Sequence, residues 1–152
     1  MDSRQRGGRV PDSVHAGPCC GSPGGEDAAC AFCREAVRSR PVAEQGTVLA
    51  VPDASPVAAG HLLVITRRHT ADLFSMTAEE KRDALDLLAA LRERALREDP
   101  AITGFNVGIN CGASAGQGIM HAHFHFIPRR DGEEGGPGRV NIKGVIRNKM
   151  TY

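Results

Sequence analysis

The chain has no apolar run near the roughly 20 residues that a membrane-spanning helix needs, so no membrane partner is expected. Its start, Met1-Asp2-Ser3-Arg4-Gln5-Arg6, is followed by Gly, Pro and polar residues and lacks the apolar core of a secretory signal. It also lacks an excess of either charge. Its 19 Lys and Arg balance 18 Asp and Glu, a formal +1, so there is no bulk electrostatic footprint for nucleic acid. Internal repeats are absent. The expected location is cytoplasmic, where the five cysteines are read as thiols or metal ligands rather than disulfides. At 152 residues the chain is expected to form one domain.

Residues 1–28 are rich in Gly, Pro, Ser and charge, a composition that cannot bury enough surface to offset its ordering entropy. They read as a disordered tail that holds His15, Cys19 and Cys20. A folded domain is expected over 29–130, followed by a Gly-rich extension over 131–152. Residues 29–38 suit a short helix that stops before Pro41. Residues 47–51 read as a strand, and the near-continuous apolar run 61–66 as a central strand. The helix signal is strongest over 78–98. There Thr77 and Glu80 form a capping box, Pro100 follows the end, and Leu85, Leu88, Leu91 and Ala95 form an apolar stripe. Residues 104–110 read as a strand, 111–118 as a small Gly-rich loop, and the next run as a strand. So short a connection favours antiparallel pairing. The expected class is α+β, an antiparallel sheet with a long helix packed on it.

The last of these strands carries the chemistry. It reads His121-Ala122-His123-Phe124-His125-Phe126-Ile127. Side chains alternate faces in a strand, so one face would carry three imidazoles while Ala122, Phe124 and Phe126 pack on a core. Three readings stand: a wet strand face, a three-histidine zinc site that keeps an open position, and a phosphoryl or nucleotidyl transfer site with one histidine as nucleophile. Cys30-Ala31-Phe32-Cys33 is a C-x-x-C pair able to hold one zinc with two further ligands. No thioredoxin-like βαβ pattern surrounds it, which weakens a redox role. His69 follows the central strand. The loop from Asn110 to Gly118 has small residues that let main-chain N–H groups approach an anion, with the Asn110 and Gln117 amides beside them. It lacks the Gly-Lys-Ser/Thr ending of a Walker loop.

The run His-Ala-His-Phe-His-Phe-Ile fits the signature of the histidine-triad family. So, in the family's order, do Cys-Ala-Phe-Cys-Arg at 30–34, Ala-Val-Pro-Asp at 50–53, Pro56 to Ile65, Arg68-His69, Phe74 to Glu80, and Gly104 to Asn110 through Gln117. The chain therefore resembles that family over 30 to about 130, and the ending from Gly144 to Tyr152 is similar to the tail of some bacterial members. The resemblance implies a nucleotide-binding α+β fold, usually homodimeric. It also implies hydrolysis or transfer on a nucleoside phosphoramidate or dinucleoside polyphosphate through a nucleotidyl-histidine, with adenine the commonest base.

By position, the resemblance makes His123 the nucleophile, with His125 and His61 as its catalytic supports. Asp53 resembles the carboxylate on the ribose hydroxyls. Phe32, Asn110, Gln117 and Gly118 fall among nucleotide contacts. Cys30, Cys33, His69 and His121 resemble a structural zinc quartet. Many members carry Ser or Thr three residues before the first triad histidine; here that residue is Gly118, and a hydroxyl contact to phosphate is lost. Two alternatives remain: a nucleotide-binding module with little turnover, and a zinc-dependent hydrolase that uses the triad as ligands.

Overall fold

Two strands are apolar at nearly every position because both of their faces are covered. They are β2 (Val48–Pro52) and β3 (Leu62–Thr66). The computed structural model describes residues 29–132. The tail expected over 1–28 and the extension beyond 132 lie outside the described residues. Around β2 and β3 stand β1 (Ala43–Gln45), β4 (Ile102–Ile109) and β5 (His123–Arg130), in the order β1-β2-β3-β5-β4. Every neighbouring pair is antiparallel. β3 is the middle strand, as its composition implies. Strand β1 has only three residues of mixed polarity, too little pattern to reveal it from sequence.

The other long element is α2 (Ala78–Glu98), with the expected bounds. Its first turn is closed reciprocally. The Glu80 N–H donates to Thr77 Oγ1 at 3.1 Å, and the Thr77 N–H donates to Glu80 Oε2 at 2.8 Å. The buried stripe, however, is Ala84, Leu87, Leu88 and Leu91, while Leu85 is 63% exposed. The true stripe follows i, i+3, i+4, i+7 from Ala84, and a small alanine next to a leucine hides that phase. With Val48, Ala50, Val64, Met76, Ala122 and Phe126, this stripe forms the core on one face of the sheet.

The opposite face is covered by the start of the described chain. Cys30, Phe32 and Cys33 pack on Leu49, Val51, Leu63 and Ile65. The expected single helix over 29–38 is instead a 3-10 turn (Ala31–Cys33) and a four-residue α1 (Glu35–Arg38), interrupted by Arg34 at an extended ψ of 136°. Arg38 ties the two turns down through the carbonyls of Phe32, at 3.1 Å, and Arg67. The break seats both cysteines and Phe32 against the sheet.

The histidine strand also starts later than its alternation implies. β5 opens at His123, while His121 and Ala122 lie in the preceding turn. There the His121 N–H bonds the Ile119 carbonyl at 2.8 Å, and the Ala122 N–H bonds that of Thr70 at 2.7 Å. His123 and His125 pair with Ile65 and Leu63 of β3, so both face the cysteine-bearing layer.

Candidate active site

Each triad imidazole has a different setting. The main chain, which can only donate at N–H and accept at C=O, fixes two of their tautomers. His121 Nε2 lies 2.8 Å from the Thr66 carbonyl and 3.1 Å from Thr66 Oγ1. The proton is therefore on Nε2, and the Nδ1 lone pair faces Cys30 Sγ at 3.5 Å and Cys33 Sγ at 3.6 Å. Burial lowers the His121 pKa to about 4, against the opposing bond to the Thr66 main chain, so the ring is neutral at pH 7. His69 Nδ1 lies 3.3 Å from Cys33 Sγ. Cys30, Cys33, His69 and His121 thus bring two sulfurs and two nitrogens within 4.8 Å of one another, all buried.

These four atoms fit a tetrahedral metal. Zinc bonds of about 2.3 Å to sulfur and 2.0–2.1 Å to nitrogen give S···N edges of about 3.5–3.6 Å, close to the three distances above. Burial pushes the Cys30 thiol above its ordinary range, helped by neighbouring Cys33 and opposed by the main-chain N–H groups of Phe32 and Cys33. A bound cation would reverse that preference. The Thr66 carbonyl on His121 Nε2–H is the outer contact that typically fixes a ligating imidazole. Nothing in the sequence marks Thr66 for this role, because it acts through a strand-end carbonyl.

His123 is held the other way round. Its Nδ1–H donates to the His121 carbonyl at 2.7 Å, which puts the lone pair on Nε2. The edge of Phe32 meets the His123 ring at 5.2 Å and the His121 ring at 5.8 Å. Phe32, expected among the nucleotide contacts, is only 7% exposed and packs its ring against that of His123. His125, on the same strand face, has its ring 5.2 Å from that of His123. His125 Nδ1 lies 3.0 Å from His61 Nε2. Asp53 Oδ2 lies 3.4 Å from His61 Nε2 and 3.9 Å from His125 Nδ1, while Asp53 Oδ1 accepts the Ser55 N–H at 2.8 Å.

The three triad imidazoles therefore do not converge on one point. His121 belongs to the cysteine cluster, His125 to a group with Asp53 and His61, and His123 to neither. A zinc held by all three triad histidines does not fit this geometry.

The loop between β4 and β5 is built from its own side chains. Gly112 and Gly116 adopt φ of +89° and +81°, values that suit glycine. Gln117 is buried. Its Oε1 accepts the Gly112 N–H at 2.7 Å, and its Nε2 donates to the carbonyls of Ala71 at 2.6 Å and Ile119 at 3.0 Å. Both amide protons are engaged, so Gln117 braces the loop and has no donor left for an incoming phosphate. Asn110 Nδ2 bonds the Ala115 carbonyl. Gly118 is exposed beside them.

The description of the HIT domain matches residues 34–132, about two thirds of the chain. The chain belongs to the HIT family. Among its relatives is adenosine 5′-monophosphoramidase HNT1 of Saccharomyces cerevisiae, 36% identical over 112 residues that cover 72% of this chain and 68% of the yeast protein. A HIT family protein of Bacillus anthracis superposes with a TM-score of 0.64 at 32% identity, over 73% of this chain and 80% of that one. A HIT family hydrolase of Clostridium thermocellum gives 0.56 at 30% identity, over 74% and 98%. The HIT match begins just after Cys33, so the cysteine half of the cluster is carried by this chain's own geometry. A cavity of about 240 Å³ lies between the C-terminal half of α2 and the sheet, lined by Leu62, Leu91, Ile102, Phe126 and Arg130 but by no imidazole. Among the described residues no helix is long and apolar enough to cross a membrane.

Proposed function

We propose that this HIT protein is a cytoplasmic nucleotide hydrolase or nucleotidyl transferase that works through a covalent nucleotidyl-His123. One observation carries the reading: the 2.7 Å bond from His123 Nδ1–H to the His121 carbonyl. It places the proton on Nδ1 and the lone pair on Nε2, the nitrogen that attacks. In the first step Nε2 attacks the α-phosphorus of a nucleoside phosphoramidate or dinucleoside polyphosphate. The bond from phosphorus to the leaving nitrogen or oxygen breaks, and the leaving group departs with the bonding pair and takes up a proton from water. The phosphorylated ring keeps its Nδ1–H and is cationic, so the His121 carbonyl stabilises it more strongly than it does the neutral ring. Water, or another acceptor, then displaces His123 from phosphorus. Water releases the nucleoside monophosphate. Positioning and charge suffice for this transfer.

In this reading Asp53 also meets the ribose hydroxyls, since a carboxylate has lone pairs beyond those facing Ser55 and the histidine pair. Asn110 and the Gly118 main chain face the phosphate, and the name of the yeast relative points to adenosine. Cys30, Cys33, His69 and His121 hold one structural zinc, which supplies cross-linking of the N-terminal turn to the sheet rather than chemistry. β4 lies at one edge of the sheet with Val107 46% exposed, and α2 presents Leu85. An exposed eight-residue edge favours strand pairing with a second copy, and we read the protein as a homodimer.

The test offers adenosine phosphoramidates, dinucleoside polyphosphates and sugar nucleotides, and follows nucleoside monophosphate release with intact-protein mass on quenched samples. An adduct in the wild type that vanishes in His123→Ala is expected. Asp53→Ala should chiefly weaken nucleoside monophosphate binding, by about tenfold to a hundredfold for a charge-assisted contact worth about 1.5–3 kcal/mol. An adduct that survives in His123→Ala would refute the assignment.

A further inference from the structure

His61 looks at first like a proton carrier placed between Asp53 and His125. Its other nitrogen argues otherwise. The Val57 main-chain N–H points at His61 Nδ1 at 3.3 Å. A main-chain N–H can only donate, so Nδ1 must hold a lone pair, and the only ring proton is on Nε2. An imidazolium cannot form at His61 without turning two N–H groups against each other. A proton therefore cannot pass through this ring. The Nε2–H that remains has His125 Nδ1 at 3.0 Å as an acceptor, with Asp53 Oδ2 3.4 Å from the same nitrogen. Accepting that bond puts the lone pair of His125 on Nδ1 and its proton on Nε2.

We propose that the Val57 N–H and His61 form a tautomer lock: His61 is a positioning residue, and His125 is held as a neutral Nε2–H donor beside the nucleophile. The two neighbouring imidazoles of β5 are thus set in opposite senses by different main-chain groups. His123 presents a lone pair at Nε2, set by the His121 carbonyl. His125 presents a proton at Nε2, set two steps away by Val57. The pair attacks phosphorus with one ring and donates a hydrogen bond to the phosphoryl oxygens with the other, without proton transfer at His125. Asp53 is the group that opposes the lock. Its Oδ2 lies 3.9 Å from His125 Nδ1 and would favour a proton there; the closer His61 N–H prevents it. The role given to His125 rests on the proposed nucleotidyl transfer, whereas the tautomers rest on the hydrogen bonds alone.

The sequence offers two ways to test the lock. Glutamine at position 61 can accept from Val57 with its oxygen and donate to His125 with its nitrogen, but it cannot carry a proton. Phenylalanine can do neither. Val57→Pro removes the N–H itself at an exposed loop residue and spares the core. The first readout is the ¹⁵N spectrum of histidine-labelled, zinc-loaded protein without substrate, which reports the His125 tautomer whatever the reaction. The second is steady-state hydrolysis of adenosine 5′-monophosphoramidate.

The expected spectrum has His125 protonated at Nε2 in the wild type and in His61→Gln, and a mixture of tautomers in Val57→Pro. The expected rates are a loss of about hundredfold in kcat for His61→Phe, the scale for losing one transition-state donor, with most of that recovered in His61→Gln. If His61→Phe does not fold, Val57→Pro and the wild-type spectrum decide. A wild-type His125 protonated at Nδ1 overturns the lock. So does a folded His61→Gln as slow as His61→Phe, which would make His61 a proton carrier. If no substrate turns over but the spectrum is as expected, the lock stands and the proposed function fails.

Discussion

Replacing Gly118 with serine should raise activity rather than lower it. Gly118 stands three residues before His121, where the resemblance to the histidine-triad family implies Ser or Thr. A Cβ built there meets nothing within 4 Å, and the residue lies outside the left-handed region of φ, so serine enters without strain. The stability effect is small and favourable, up to about 0.4–1 kcal/mol from the stiffer unfolded chain. The catalytic effect is larger. A hydrogen bond to a charged group contributes about 1.5–3 kcal/mol, and every 1.4 kcal/mol is about tenfold. Because residue 118 is exposed, the lower end applies, and kcat/KM should rise about tenfold. A rise in kcat would show that the hydroxyl acts on the transition state; a fall in KM alone would show uniform binding. The assay is hydrolysis of adenosine 5′-monophosphoramidate with a thermal melt alongside, and Gly118→Ala as the control for backbone stiffening. If serine and alanine both match the wild type, residue 118 does not meet the phosphate and the loop has been assigned wrongly.

Three further outcomes are expected. Metal analysis should find one zinc per chain in the wild type and none in Cys30→Ser, and complete chelation should lower the melting temperature; an unchanged melt would remove the structural site. Acid should destabilise the fold through three carboxyls held below their usual range: Glu80, where burial acts the other way but Arg68 and Thr77 outweigh it; Asp83, by the Thr47 N–H and hydroxyl; and Asp99, by Arg130 and the Ala101 N–H. Each binds its proton more weakly folded than unfolded, so its contribution is complete above pH about 4 and is lost as pH falls through the lower folded values. Urea midpoints at pH 6 and pH 3 should then converge in Asp83→Asn and Glu80→Gln, and equal pH slopes in all three proteins would contradict this. Finally, sedimentation should give a dimer at micromolar concentration and a monomer for Val107→Lys on the β4 edge, whereas a wild-type monomer would dismiss the pairing.

Much of the fold was legible in the sequence. α2 announces itself by a capping box, a periodic interior and a terminal proline, and all three are local. β3 announces itself by continuous apolarity, since a central strand is covered on both faces. Other features depend on long-range geometry and leave little local trace. The side of α2 that meets the sheet is decided by Ala84 packing closer than Leu85 could, and hydropathy ranks those two the other way. β1 is three residues held in place by β2. The engagement of Gln117 by Ala71, Gly112 and Ile119 and the burial of Phe32 against His123 follow from loop paths, which a motif read by position does not describe. The lock through Val57 is invisible for a simpler reason: its working group is a main-chain N–H, which every residue but proline carries.

His121 joins the two halves of the molecule. Its side chain turns Nδ1 toward Cys30 and Cys33, away from the role the structure leaves to its main chain. Its main-chain carbonyl fixes the tautomer of His123. Its place in the turn before β5, rather than within the strand, makes both possible. There the side chain leaves the line of His123 and His125 while the carbonyl still points along it. Two bonds hold that turn apart from any metal, the Thr66 carbonyl on His121 Nε2 and the Thr70 carbonyl on the Ala122 N–H. Loss of zinc should therefore loosen the N-terminal turn first, since Cys30 and Cys33 lose their cross-link while the bonds to the Thr66 and Thr70 carbonyls remain. Chelated protein should melt earlier yet still form the nucleotidyl adduct below its lowered melting temperature. Chelated protein that stays folded but forms no adduct would make the metal part of the nucleophile's support, and the carbonyl alone insufficient.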